Sequence, residues 1–146
     1  MTGANDPDCR RPMLWPDIEY QVEDAHPIAG KFRQAEPNVI DLDLFNHYRL
    51  LIKIRNENIA LQRGSFNSIY MDDSRDIYGY AREFGDEVVV VIINNSWMDQ
   101  DIEFNAGAYE SHLWKDLLNF EKTYQKSDDY LRLKIRPKWA VVLRNI

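Results

Sequence analysis

A mainly β fold, an antiparallel β-sandwich preceded by a loop and one helix, is predicted by three observations on this 146-residue chain. From about Phe66 onward, short segments rich in β-branched and aromatic residues alternate with turn signals. Only one stretch before that point carries a helical period. Five of the six prolines lie within the first 37 residues, which leaves no room there for a long regular element.

The proline-rich start comes first. It opens "MTGANDPDCRRPMLWPD", with Pro7, Pro12 and Pro16 in seventeen residues and Pro27 and Pro37 following. Each proline fixes its own φ, removes a donor and biases the preceding residue away from helix. The segment therefore reads as loop. A loop of this length inside a compact domain is functional or belongs to something larger.

The helix is "DLFNHYRLLIKIRNEN", expected over about residues 43–58. Asp43 is a suitable N-cap. Leu44, Tyr48, Leu51, Ile52 and Arg55 recur at spacings of three and four, which gives one apolar face. Asp41 and Asp43 near the start, and Lys53 and Arg55 toward the end, complement the macrodipole. "ENIALQRG" closes the zone with Gly64 as the stop.

The strands are "SIYM", "IYGYAREF", "EVVVVIIN", "DIEF", "HLWKDLL", "YLRLKI" and "WAVVLRNI". They are separated by "DDSRD", "GDE", "NNS", "NAGA", "KSDD" and "RPK". "REFGDEVVV" reads as a hairpin. In "YLRLKI" the residues Leu131, Leu133 and Ile135 face one way and Tyr130, Arg132 and Lys134 the other. Seven or eight short strands without intervening helices argue for two packed antiparallel sheets.

Composition narrows the function. The formal net charge is −6 and the pI about 5.0, with no basic stripe, so nucleic acid is a poor partner. The single cysteine, Cys9, cannot form an internal disulfide. No basic head and apolar stretch mark a signal peptide, and the longest apolar run, Val88 to Ile93, is too short to span a bilayer, so the default location is the cytoplasm. His26, His47 and His112 lack ligand spacing, and neither a metal nor a cofactor is implied. No His or Asn arrangement around Cys9 supports a nucleophile. Aromatic residues reach 12%, with four Trp and eight Tyr, which fits a β-rich core or, at exposed positions, sugar stacking. Trp97, at the end of a predicted strand, is the candidate for the exposed role. Trp114 and Trp139 are expected in the core.

Against that background, "MTGANDPDCRRPMLW" resembles the loop after the eighth barrel strand of the α-amylase superfamily, glycoside hydrolase family 13. The subgroup most similar is that of cyclomaltodextrinase, neopullulanase and maltogenic amylase. "LFNHYRLLIKIRNENIALQRGSF" resembles the last barrel helix, and "YGYARE" and "VVVVIINNS" resemble the first strands of the C-terminal β-domain. The resemblance covers essentially the whole chain. It implies residues 1–63 as a remnant of the catalytic (β/α)8 barrel and residues 64–146 as a Greek-key β-sandwich. It also places Met1 where the family has an internal methionine, so the expectation is the C-terminal fragment of a longer enzyme.

The chemistry follows from the same resemblance. Retaining glycosidases need two carboxyl groups about 5 Å apart. In this family they come from earlier barrel strands, so no catalytic residue is assigned, and "DD" at 72–73 and 128–129 reads as solvated turns. Asp6 and Arg10 match the family's sugar-binding pair on the non-reducing side of the cleaved bond. A carboxylate accepts from two hydroxyls and a guanidinium donates in a fixed fork. The expected ligand in the intact enzyme is an α-glucan or cyclodextrin. The chain alone is expected to be inactive and to stabilise the whole. Alternatives are a free-standing carbohydrate-binding module, or an interaction domain that buries its helix face (Tyr48, Leu51, Ile52) against a second copy.

Overall fold

The structure is a computed structural model and describes residues 13–22, 24–26, 28–35, 37–119 and 122–146. The chain divides into two compact units, Met1–Tyr48 and Arg49–Ile146.

The described part of the first unit is held by local turns rather than by a core. The amide of Trp15 donates to the Tyr20 hydroxyl at 2.9 Å, and the Trp15 ring meets Phe45 edge-on at 6.0 Å. Gly30 turns the chain at φ +80, where a side chain would be strained. The sequence expectation of a loop holds here, since no strand or helix precedes Leu42 among the described residues.

Helix α1 runs Leu42–Glu57 and a short α2 runs Ile59–Arg63. Asp41, rather than Asp43, caps the start: its carboxylate accepts the Leu44 amide at 2.9 Å. The helix expected over about 43–58 matches α1 and ends at Asn58, which is buried and extended at φ −124, ψ 111; the short α2 beyond it was not expected. The Asn58 side-chain amide donates to the Ile54 carbonyl at 2.6 Å and its Oδ1 accepts from Arg144 at 3.2 Å. Asn58 thus satisfies an orphan carbonyl of α1 while turning the chain. The Glu87 carboxylate accepts the Ala60 amide at 2.8 Å at the start of α2.

Eight strands follow: β1 Asn67–Asp72, β2 Ile77–Phe84, β3 Glu87–Asn94, β4 Gln100–Asn105, β5 Leu113–Asp116, β6 Thr123–Gln125, β7 Tyr130–Ile135 and β8 Trp139–Asn145. They form a six-stranded sheet in the order β1-β2-β3-β8-β5-β6 and a two-stranded sheet β4-β7, with every pairing antiparallel. The chain crosses to the small sheet for β4, returns for β5 and β6, crosses again for β7, and inserts β8 between β3 and β5.

Two apolar clusters lie on the two faces of the large sheet. Between the sheets, Val90, Ile92, Phe104, Trp114, Leu131, Leu133, Ile135 and Leu143 are packed out of solvent. On the opposite face, Val89, Val91 and Val142 pack with Ile54, Ala60 and Leu61 from the helices. This explains the unbroken run Val88–Ile92: both faces of β3 are covered, so no alternation is required. In β7 alternation is clean because only one face of the small sheet is covered.

Gly64 does end α2, but not through a left-handed cap. It is extended (φ −67, ψ 166) and its amide donates to the Ala60 carbonyl at 2.9 Å. A Cβ there would lie 2.5 Å from Ala60 O and under 3 Å from the Glu83 backbone, so close backbone approach demands the glycine.

Of the helix residues expected to share an apolar face, Leu44, Tyr48 and Ile52 are each more than half exposed. Only Ile54 of α1 is buried, with Leu50 and Leu51 partly so.

Candidate functional site

The sequence-predicted sugar-binding pair, Asp6 and Arg10, lies outside the described residues, as does Cys9. The remaining sequence candidates can be placed.

The first acidic pair is a turn. The Asp72 carboxylate accepts from the Ser74 hydroxyl at 2.6 Å and from Arg75 Nε at 2.6 Å. The Ser74 hydroxyl, and then Arg75, hold the Asp72 carboxyl below the usual carboxylate range. Arg75 also donates to the Asp101 carbonyl at 3.2 Å, so this turn is tied to β4. Asp128 and Asp129 both adopt positive φ, and the Asp129 carbonyl accepts the Ala106 amide at 2.7 Å. Both pairs lie in turns, Asp72 tied to Ser74 and Arg75 and Asp129 beside Lys126.

The outer face of β4 and β7 carries a shallow groove of about 380 Å³ lined by Asp101, Glu103, Arg132 and Lys134 with Ile102 and Leu133. Glu103 is paired with Arg132 at 2.9 Å, and Lys134 with Asp99 at 3.2 Å. Pairing of this kind spends the carboxylates on exposed salt bridges.

The histidines are dispersed. His26 Nδ1 accepts the Ile28 amide at 2.9 Å, and the His47 ring meets Tyr48 edge-on at 6.5 Å. Among the described residues no cluster of three or more His, Cys, Asp or Glu could hold a metal ion.

Two buried polar hubs organise the strand ends, and sequence reasoning identified neither. Asp116 is 1% exposed, and its Oδ1 accepts the amides of Leu118, Asn119 and Val142. Its Oδ2 accepts from the Asn119 side chain at 2.7 Å, and Asn119 in turn accepts the Trp139 indole N–H at 2.6 Å. Four donors thus satisfy the buried side chain. Asn94, fully buried at the end of β3, is the second hub. Its amide nitrogen donates to the carbonyls of Met98 (2.8 Å), Ile135 (3.1 Å) and Arg136 (2.9 Å). Its oxygen accepts the Ser96 amide at 2.9 Å and hydroxyl at 2.7 Å.

Trp97 sits on the turn that Asn94 fastens and is 82% exposed. Trp114 is fully buried and meets Tyr109 edge-on at 5.5 Å. Trp139 is half-buried, with the Arg136 guanidinium 4.9 Å from its ring centroid.

Its two antiparallel sheets and helical lead-in make the chain a β-sandwich domain. No family model matches the sequence. It is 30% identical over 145 residues to neopullulanase 2 of Thermoactinomyces vulgaris, a match covering 99% of this chain and 21% of that protein. It is likewise 30% identical over 144 residues to a cyclomaltodextrinase of Thermoanaerobacter pseudethanolicus, covering 99% and 20%. The crystal structure of an Anoxybacillus α-amylase superposes with a TM-score of 0.66 at 22% identity, over 75% of this chain and 24% of that one. The chain thus spans about a fifth of the length of the curated relatives it matches. Family and fold agree with the sequence motifs: the chain belongs to the α-amylase superfamily, glycoside hydrolase family 13, and corresponds to its C-terminal part.

Proposed function

We propose that this chain is the non-catalytic C-terminal part of a retaining α-glucan hydrolase of the cyclomaltodextrinase and neopullulanase type. The observation that carries the reading is the 30% identity to neopullulanase 2, which extends over 99% of this chain. In this reading residues 1–63 complete the catalytic barrel, residues 64–146 form the sandwich domain, and the sandwich stabilises the whole. The parent hydrolyses α-1,4-glucosidic bonds with carboxylates carried on earlier barrel strands. Its ligand is an α-glucan or cyclodextrin, with Asp6 and Arg10 gripping hydroxyls on the non-reducing side.

The exposed side chains of Leu44, Tyr48 and Ile52 support the structural half of this proposal. An amphipathic helix is stable because its apolar face is covered, and here that face meets solvent. In this reading barrel strands and helices cover it. A second copy of the chain is the alternative cover.

The test replaces the matching C-terminal part of Thermoactinomyces vulgaris neopullulanase 2 with this chain and assays pullulan and β-cyclodextrin. The chimera is expected to release reducing sugar. Asp6→Ala or Arg10→Ala in it is expected to lower kcat/KM by about tenfold to a hundredfold, the size of a lost charged hydrogen bond. A chimera that melts cooperatively, hydrolyses substrate and is indifferent to both substitutions would remove these residues from the site.

A further inference from the structure

The turn that joins β3 to β4 is built as a rigid mount for one aromatic ring. Asn94 donates to three carbonyls: that of Met98 in the turn 95–99, that of Ile135 at the end of β7, and that of Arg136 in the turn that follows. The Lys138 amide donates to the Ser96 carbonyl at 3.1 Å. Its ammonium donates to the Asn95 carbonyl at 2.6 Å and to Asn95 Oδ1 at 3.1 Å. Asn95 is fixed in turn through its amide to the Asp76 carbonyl at 2.9 Å. To reach this arrangement Lys138 adopts φ +50, a conformation that costs a non-glycine residue. The product is a Lys138 ammonium 4.5 Å from the centroid of the Trp97 ring, with Trp97 82% exposed.

A tryptophan held outward by this many bonds has no part in the core. Lys138 backs one face of the ring, and the side chain as a whole is 82% exposed. Its chain neighbour Met98, 69% exposed, adds apolar surface. A tryptophan offers roughly 150–250 Å², whereas a specific protein interface takes about 1,000 Å² or more. The patch fits one or two pyranose rings rather than a folded protein. Its rim is polar: Lys138 lies against the ring, and Asn95, exposed, is bonded to the Lys138 ammonium. That is the pairing a sugar requires, an apolar C–H face on an aromatic plane and hydroxyls at its edge.

We infer that the Trp97 face, mounted by Asn94 and backed by Lys138, is an accessory contact for an α-glucan chain, separate from any catalytic cleft. The choice of an α-glucan over other polysaccharides rests on the proposed function above. The platform itself rests on the geometry alone.

Native gel electrophoresis of the 146-residue chain tests this, since at a net charge of −6 the protein migrates without denaturant. Gels contain amylopectin, hydroxyethylcellulose or no polysaccharide. Wild type is expected to be retarded by amylopectin only. Trp97→Ala is expected to weaken the apparent Kd by about tenfold, the scale of one aromatic contact, and Trp97→Tyr to restore part of the retardation. An unchanged thermal melt shows that the variants stay folded. Wild type that runs alike with and without amylopectin overturns the inference, and so does Trp97→Ala retarded as much as wild type. Retardation by hydroxyethylcellulose alone, lost in Trp97→Ala, overturns the α-glucan assignment and traces the failure to the proposed function rather than to the platform.

Discussion

Asn94 and Asp116 hold the sandwich together where its strands end, and they do so with side-chain polar atoms rather than apolar area. Asn94 donates to the carbonyls of Met98, Ile135 and Arg136, and the Ser96 hydroxyl shares the Met98 carbonyl with it. Truncating it strands buried acceptors at about 1–3 kcal/mol each. Asn94→Ala is therefore expected to lower stability by about 3 kcal/mol, read as a shift in the urea midpoint with an unchanged slope. A loss under about 0.5 kcal/mol would show that the two turns hold without it. Asp72 makes a pH prediction. Its carboxyl is held below the unfolded value of about 3.9 by Ser74 and Arg75, so the stabilisation is present above that value and is lost as pH falls through the folded one. Asp72→Asn is expected to melt lower than wild type at pH 6, and the gap is expected to narrow as the carboxylate is protonated in acid. A gap that stays constant into acid would mean the charge plays no part. Neither hub was readable in the sequence. "NNS" reads as an ordinary turn and "HLWKDLL" as a strand, and two of the carbonyls Asn94 reaches, those of Ile135 and Arg136, lie about forty residues away in the chain.

The elements were more legible than the contacts that join them. The bounds of β2 and β3 follow directly from "IYGYAREF" and "EVVVVIIN", because a two-residue Gly85–Asp86 turn separates two runs of strand formers. Strand β7 was legible from strict alternation. Strand β6 was missed: three residues, Thr123–Gln125, are too few to show a period, and their pairing with β5 is a tertiary fact. The short α2 was not expected, because its five residues, Ile59–Arg63, are too few to show a period. What breaks the helix is the Asn58 side chain's bond to Ile54 and its acceptance of Arg144 from the last strand. Gly64 was legible as a stop, but for the wrong reason. Sequence logic favours a left-handed cap, whereas contact with the Glu83 backbone sets the requirement. Gly64→Ala is accordingly expected to cost about 1–3 kcal/mol from overpacking, although φ −67 is open to alanine. A neutral or stabilising Gly64→Ala would show that the α2–β2 junction can yield.

At the scale of the molecule, the sandwich has a sheet-to-sheet core, and its large sheet is covered on the other face by the short helices. The lead-in helix is different: it buries Ile54 and leaves Leu44, Tyr48 and Ile52 in solvent. That asymmetry, together with a match to only a fifth of each curated relative, is what the account explains by assigning the chain to the C-terminal end of a hydrolase. The family was legible in the sequence because the proline-rich opening, the helix and the first strands each carry a motif. The sugar-binding role of Asp6 and Arg10 came from resemblance alone. No described helix is long and apolar enough to cross a membrane. The measurement that bears most directly on the central claim is reducing-sugar release by the purified chain from β-cyclodextrin, pullulan and soluble starch. The account predicts no release above a buffer blank, because both carboxylates of a retaining hydrolase lie elsewhere. Release that survives repurification and is lost in Asp6→Ala would contradict it and place a catalytic site within these 146 residues.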